Sequence, residues 1–163
     1  MSTCGNYTLG EDCPCRASVA EKRTMCRAMS HWQALRRAQA RPEELVPLDD
    51  RELSPHVYLL SLAPRLDESR FVYCGAVLAE LVGRDPTGQT VKSALPTHMA
   101  EQMVEFLKGA VQYQQPLADA GSQLGGDGSE ILYRNVMMPM IGPGGRVDQV
   151  FGAFSYRSVD CRL

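Results

Sequence analysis

The chain has 163 residues, 22% of them charged, with a formal net charge of −2. This length suits one domain with a short extension, and it can bury a sizeable core without disulfides. The slightly acidic balance gives no electrostatic basis for binding nucleic acid. No stretch approaches the roughly 18 apolar residues that a membrane helix needs. Residues 1–15 also lack the apolar segment of a secretory signal, so we expect a cytoplasmic protein.

A cluster of cysteines marks the N-terminal segment, residues 1–17, and continues just beyond it: Cys4, Cys13, Cys15 and Cys26. Cytosolic cysteines are usually reduced, so the cluster favours metal or redox chemistry over disulfides. Four thiolates are sufficient for a tetrahedral zinc site or an iron–sulfur cluster. The Cys-x-Cys spacing differs from the Cys-x2-Cys pair of structural zinc sites, so redox-reactive thiols and incidental thiols stay as alternatives. Cys13-Pro14 matches a cysteine–proline haem motif in only two residues.

An amphipathic helix is predicted over residues 18–41. Ser18 and Glu21 fit a capping box at its start, and Arg41-Pro42 is expected to end it. One apolar stripe recurs at helical spacing, and its chief members are Met25, Met29, Trp32 and Leu35. The stripe has two interpretations: packing onto the rest of the chain, or a seam between two copies or with a partner protein.

Residues 42–163 are predicted to form one domain. After a proline-containing linker, strands are expected at 57–62 and 71–74, and a short helix at 76–82 is closed by Gly83. A longer helix is expected over 97–112. Its apolar stripe consists of Met99, Met103, Phe106, Leu107 and Ala110.

The C-terminal third changes to the period of strands. Glycine-rich turns at 125–128 and 142–145 predict two hairpins, with strands at 131–140 and 147–156. In the last strand, alternation predicts Val150, Phe154 and Tyr156 on one face and Phe151 and Ala153 on the other. The order of strands and helices predicts an α+β fold, an antiparallel sheet with helices over one face.

Several stretches in this order resemble a PAS domain, in particular the single-domain PAS proteins that are widespread in alphaproteobacteria. The resemblance extends from Trp32 to Arg157 and rests on WQALR at 32–36, RFVYCGAVLAELVGRDPTGQTV at 70–91 and YRNVMMPMIGPGGRVDQVFGAF at 133–154. Cys74 stands where the family is expected to carry Arg before the glycine. The cysteine-rich segment is an addition to the family pattern.

The resemblance implies a five-stranded antiparallel sheet with flanking helices and a ligand cavity between them. It also implies signalling through protein contacts, often with dimerisation by an N-terminal helix. Some haem-binding PAS domains carry their axial histidine on the long helix, which makes His98 a candidate ligand residue, although it falls in the first turn. Haem is the weaker of the cofactor predictions, behind zinc or an iron–sulfur cluster.

Catalysis finds little support in the sequence. The three histidines lie apart at 31, 56 and 98 and form no motif with a nucleophile, and phosphate-loop, nucleophile-elbow and zinc-protease motifs are absent from the sequence. We therefore predict a cytoplasmic, non-catalytic sensory protein, a homodimer that acts on a signalling partner and is gated by a metal or redox centre. The alternatives are a haem or small-molecule binding module and an interaction domain without a ligand.

Overall fold

The computed structural model describes residues 19–41 and 49–159, with side chains described from residue 23 onward. Four helices and five strands follow one another within these ranges. They are α1 (Val19–Ala38), β1 (Val57–Ser61), β2 (Arg70–Cys74), α2 (Ala76–Val82), α3 (Val91–Ala94), α4 (Thr97–Tyr113), β3 (Leu117–Leu124), β4 (Glu130–Ile141) and β5 (Val147–Val159).

The strands form one antiparallel sheet in the order β2-β1-β5-β4-β3. β1 and β5 are neighbours although they are far apart in sequence, and β5 is the central strand of the sheet. β3, β4 and β5 are joined by the two predicted hairpins, and the turn between β4 and β5 is closed by Gly142 N–H donating to Arg146 O. The predicted five-stranded antiparallel sheet with flanking helices is confirmed.

Each face of the sheet carries its own core. The inner face packs against α2, α3 and α4, and its central members include Tyr58, Leu60, Met137, Val150 and Phe154. The outer face packs against α1 through Val57, Leu59, Val136, Met138, Met140, Phe151 and Ala153. This alternation confirms the predicted division of β5 into two faces, and it makes the fold three layers deep.

Helix α1 ends earlier than the sequence predicts. Gln39 adopts a left-handed conformation with φ 52°, and its N–H donates to Arg36 O while Ala40 N–H donates to Leu35 O. This pair of hydrogen bonds is a Schellman motif, which ends a helix before the Arg41-Pro42 step can act. The predicted cap, Ser18, lies outside the described residues.

The other helices agree closely with the sequence. α2 has the predicted bounds, and Gly83 caps it with φ 85°, a conformation that glycine adopts without a steric cost. α4 runs one residue beyond the predicted Gln112, and Met103, Leu107 and Ala110 of its stripe are buried. Helix α3 was not predicted, because its four residues are too few for a period; Thr90 caps it by accepting a hydrogen bond from Ser93 N–H.

Candidate functional site: an inner cavity

A small cavity lies on the inner face of the sheet, under α2 and α4. Its volume is about 40 Å³, room for about three water molecules. Apolar and polar side chains share the lining, which consists of Leu78, Leu95, Met99, Gln102, Met103, Phe106, Asp119, Gln123, Tyr133, Asn135 and Phe154. A wider groove of about 280 Å³ between α4 and β3 shares Gln102, Phe106, Asp119 and Tyr133 with this cavity.

The polar side chains come from neighbouring positions of the sheet. Asp119 pairs with Asn135 across β3 and β4, and Tyr133 lies two residues before Asn135 on the same face. The hydroxyl of Tyr133 donates to Asp119 Oδ2 at 3.3 Å. On the other side, the hydroxyl of Tyr58 donates to Asn135 Oδ1 at 2.8 Å. A polar row therefore crosses an otherwise apolar face.

Burial changes the protonation chemistry of this row. The pKa of Asp119 is raised because burial disfavours its charged form, although the Tyr133 hydroxyl and the Ala120 backbone amide lower it in part. Burial, and secondarily the neighbouring Asp119, raises the pKa of Tyr133 to about 12. Burial also raises the pKa of Tyr58 far above its ordinary value. Both tyrosine hydroxyls are therefore protonated hydrogen-bond donors at neutral pH.

The row can bind a polar ligand by hydrogen bonds. Asp119 supplies acceptor oxygens, and the Tyr133 hydroxyl, which donates to Asp119, can also accept. The side-chain amides of Gln102 and Gln123 can each donate and accept, and Gln123 Nε2 donates one of its hydrogen bonds to Met99 Sδ at 3.8 Å. Asn135 uses its carbonyl oxygen for Tyr58, which leaves its amide nitrogen as the group to offer a ligand. Protonated hydroxyls are poor nucleophiles, so the arrangement suits recognition better than covalent chemistry.

Cys74 is a buried thiol at the end of β2. Its Sγ donates to Gly75 O at 3.5 Å. Burial, with a smaller effect from Asp85, raises the pKa of this thiol to about 12. A thiol that stays protonated at neutral pH is a weak nucleophile and a weak metal ligand. Cys74, at the position where arginine was expected, therefore contributes to the core as a buried side chain.

His98 lies in the first turn of α4 and is exposed. It lines two surface grooves and is not one of the residues around the inner cavity. A cavity of about 40 Å³ is also far below the several hundred Å³ that a large cofactor requires. His98 therefore lies away from the inner cavity, and its role as a haem ligand stays a prediction.

Three of the four predicted metal ligands, Cys4, Cys13 and Cys15, lie outside the described residues. The fourth, Cys26, is exposed on α1 with a free thiol. Within residues 19–41 and 49–159, no group of three or more potential ligands is close enough to hold a metal ion. The zinc or iron–sulfur centre stays a prediction.

The apolar stripe of α1 faces the chain's own sheet. Trp32 and Leu35 are only 4% and 3% exposed, and Met25 and Met29 pack at the margin of the outer-face core. The Trp32 ring nitrogen donates to Pro139 O at 2.9 Å, and Arg36 lies 4.7 Å from the centre of the Trp32 ring. These contacts correspond to the first interpretation of the stripe, packing onto the rest of the chain. A role for the same helix in contacting a partner stays a prediction.

Sequence reasoning missed the polar row of the cavity. A usable signal was present in β4, where Tyr133 and Asn135 share a face with the apolar Met137. Polar side chains at core-facing positions of a strand are expected to need partners. Their partner Asp119 could not be found, because β3 had no predicted bounds.

Among the helices of the described residues, none is both long and apolar enough to cross a membrane.

Comparison with solved structures identifies the fold. The PAS domain of Bordetella pertussis BvgS matches with a TM-score of 0.50 and 18% sequence identity, covering 67% of this chain and 80% of that one. The Drosophila melanogaster Cycle PAS-B domain with bound glycerol matches with a TM-score of 0.45 and 13% identity, covering 63% and 99%. The Rhodobacter sphaeroides LOV protein matches with a TM-score of 0.45 and 12% identity, covering 65% and 60%.

No protein-family model matches the sequence, and no curated protein is significantly similar to it. At 18% identity the match to the BvgS domain establishes the fold and leaves ligand and partner open. The sheet order, the helices on the inner face and the match to the BvgS domain agree. The chain has the fold of a PAS domain.

Proposed function

We propose that the protein is a non-catalytic sensory or regulatory module that binds a small molecule in the inner cavity and signals through protein contacts. One observation carries this proposal: the cavity and α1 lie on opposite faces of the same strands. Met137 faces inward and Met138 outward on β4, as do Phe154 and Phe151 on β5. Close-packed side chains transmit strain, so a ligand that shifts the inward-facing side chains of these strands also moves the outward-facing ones.

Helix α1 is the proposed output element. A ligand can change signalling only if it binds two states of the outer face with different affinity. Trp32 links α1 to β4 through its hydrogen bond to Pro139 O. We propose that movement of this helix changes a contact with a second copy of the chain or with a signalling partner. Met25 and Met29, which are only partly buried, are the parts of the stripe that such a contact reaches first.

A metal or redox centre is a second proposed input. Cys26 is exposed on the same helix, and a centre that joined it to Cys4, Cys13 and Cys15 would act on α1 directly. Zinc would bind there as a structural or thiol-switch site, and an iron–sulfur cluster would respond to oxidants.

Methionine methyl NMR tests the proposed function. In the full chain with ¹³C-methyl methionine, a library of fragments with fewer than about ten heavy atoms is titrated at neutral pH. Met103 lines the cavity and Met138 lies in the outer-face core, so a cavity ligand should shift Met103 most. The same ligand should change amide hydrogen exchange in α1. A library without any member that shifts Met103 contradicts the binding role, and binding with unchanged α1 exchange contradicts the output role.

A further inference from the structure

We propose that the inner cavity binds a small cationic ligand, an amine or amidine, whose charged head is held by Asp119. The inference rests on the proposed function, since it names the ligand class for the same cavity. Asp119 stands on the edge strand β3, at the point where the cavity meets the groove between α4 and β3. A ligand can therefore place its head inside and leave its stem in the groove.

The Asp119 carboxylate keeps acceptor capacity that the protein does not use. Its side chain accepts a hydrogen bond from the Tyr133 hydroxyl, at 3.3 Å, and is also stabilised by the Ala120 backbone amide, whereas a carboxylate has about four acceptor positions. Tyr133 fixes the orientation of the carboxylate without neutralising its charge. A cationic donor would form charge-assisted hydrogen bonds at the remaining positions, which are stronger than those of a neutral donor.

The surrounding charges favour a cation as well. Glu101 and Glu105 line the groove with Asp119, and neither arginine nor lysine is among the described residues that line the groove or the cavity. Lys108 pairs with Glu105 at 2.7 Å and neutralises part of this charge from the side. His98 lies at the rim. Acidic groups in a cleft attract cations and repel anions.

The charged form of Asp119 is poorly solvated because the side chain is partly buried. The pKa of this carboxyl is raised for that reason. A bound cation would supply the solvation that burial removes, so ligand binding and ionisation of Asp119 support each other. Phe106, which lines both the cavity and the groove, gives the hydrocarbon stem an apolar contact next to the charged head.

The size of the cavity limits the head of the ligand. About 40 Å³ accommodates a head equal to about three water molecules. An amidinium or a methylammonium group satisfies this limit, whereas a ring system does not. The groove of about 280 Å³ has room for the stem.

Three nearly isosteric probes test the inference. Acetamidine, acetamide and acetate have the same shape and carry positive, zero and negative charge at neutral pH. In the full chain, acetamidine is expected to shift the Met103 methyl resonance at a concentration at least tenfold below that needed for acetamide, and acetate is expected to have no effect. Met138, buried in the outer-face core, serves as the internal reference and should shift less than Met103.

Two matched variants locate the charge. Asp119→Asn should raise the Kd for acetamidine at least tenfold, whereas Asp148→Asn, at an exposed position on β5, should leave it unchanged. If Asp119→Asn does not fold, the pH dependence of acetamidine binding to a chain that retains Asp119 provides the same test. Affinity for acetamidine must then fall as acid protonates Asp119, and His98, Glu101 and Glu105 are replaced by Gln to remove their own titration.

The possible failures are distinguishable. Equal or tighter binding of acetamide or acetate at Met103 overturns the cationic class and leaves the proposed sensory function intact. A Kd for acetamidine that is unchanged in Asp119→Asn overturns the assignment of Asp119. If none of the three probes shifts Met103, this inference fails, and the fragment library then decides the proposed function separately.

Discussion

Tyr58 and Gly152 face each other across β1 and β5, and this pair positions the polar row of the cavity. The Tyr58 ring lies over Gly152, where any added Cβ would overlap its atoms. Only glycine leaves room for the ring at this position. The hydroxyl thereby reaches Asn135 Oδ1 at 2.8 Å.

Gly152→Ala is predicted to destabilise the fold by about 1–3 kcal/mol, because the Tyr58 ring must move in a close-packed core. Gly144→Ala is the matched control, since its Cβ would meet nothing within 4 Å; it should change stability by less than about 0.5 kcal/mol. Urea unfolding measures both variants. Equal stability of the two would show that the Tyr58 ring relaxes freely.

His31 is predicted to make the stability of the fold depend on pH. Its Nε2 is buried without a hydrogen-bond partner in the described part of the chain, and its ring lies 5.6 Å from the Phe151 ring. Burial lowers the pKa of His31, and Asp50 opposes this effect in part. Arg27, which pairs with Asp50 and Glu52, lies one helical turn before His31.

A histidine whose pKa is lower in the folded state destabilises the fold when it is protonated. The free energy of unfolding should therefore decrease as pH falls below about 6.5. His31→Gln is expected to reduce this decrease, whereas His98→Gln, at an exposed position, should leave it in place. Urea unfolding between pH 5 and 8 provides the comparison. Identical pH profiles for wild type and His31→Gln would contradict the role of His31.

At the scale of elements, the end of α1 uses an unfavourable residue. Gln39 holds φ 52°, and a non-glycine residue pays a steric cost in the left-handed region. Gln39→Gly is predicted to raise the free energy of unfolding by about 0.5–1 kcal/mol. Gln33→Gly makes the same change inside the helix and should lower it by about 1 kcal/mol. Thermal unfolding of both variants should show opposite changes in stability. A loss of stability in Gln39→Gly would contradict the steric cost assigned to Gln39.

Docking of α1 depends on Trp32, which combines deep burial with the hydrogen bond to Pro139 O. Trp32→Ala is predicted to cost about 3–5 kcal/mol and to change the oligomeric state or partner binding, because it uncovers the outer face of the sheet. Trp32→Phe keeps most of the apolar contact and should cost less. Light scattering and urea unfolding measure the two effects. If Trp32→Ala left oligomeric state and partner binding unchanged, α1 would be discarded as the contact element.

At the scale of the whole molecule, two inputs can act on one output helix. In the proposed function, the cavity would act on α1 through the sheet from the inner face, and a centre on the cysteine cluster would act on α1 through Cys26. Helix α1 is therefore the element that the two proposed inputs share.

The metal prediction is tested by elemental analysis of anaerobically purified full-length protein. Near one zinc per chain, or several irons, is the expected result, and Cys13→Ser with Cys15→Ser should abolish the bound metal. Cys161→Ser, outside the cluster, is the matched control and should retain it. Metal content that stays the same in the double variant would rule out these ligands.

The sequence alone determined the order of the strands and of the helices α1, α2 and α4, the α+β class and the two-sided pattern of β5. These features follow from local causes: helical and strand periods, glycine turns and the volume of apolar side chains. Periodicity also placed Trp32 and Leu35 on one stripe of α1, but it could not say whether that stripe meets its own sheet or a partner.

Only the tertiary structure decided where the cavity lies and which groups line it. Asp119 and Asn135 become partners through the register of β3 against β4, and Tyr58 joins them from far along the chain. Register and the pairing of distant strands are set by the whole core, so no local pattern contains them. For the same reason, the helical pattern of α4 could not show that His98 is exposed and lies outside the lining of the inner cavity.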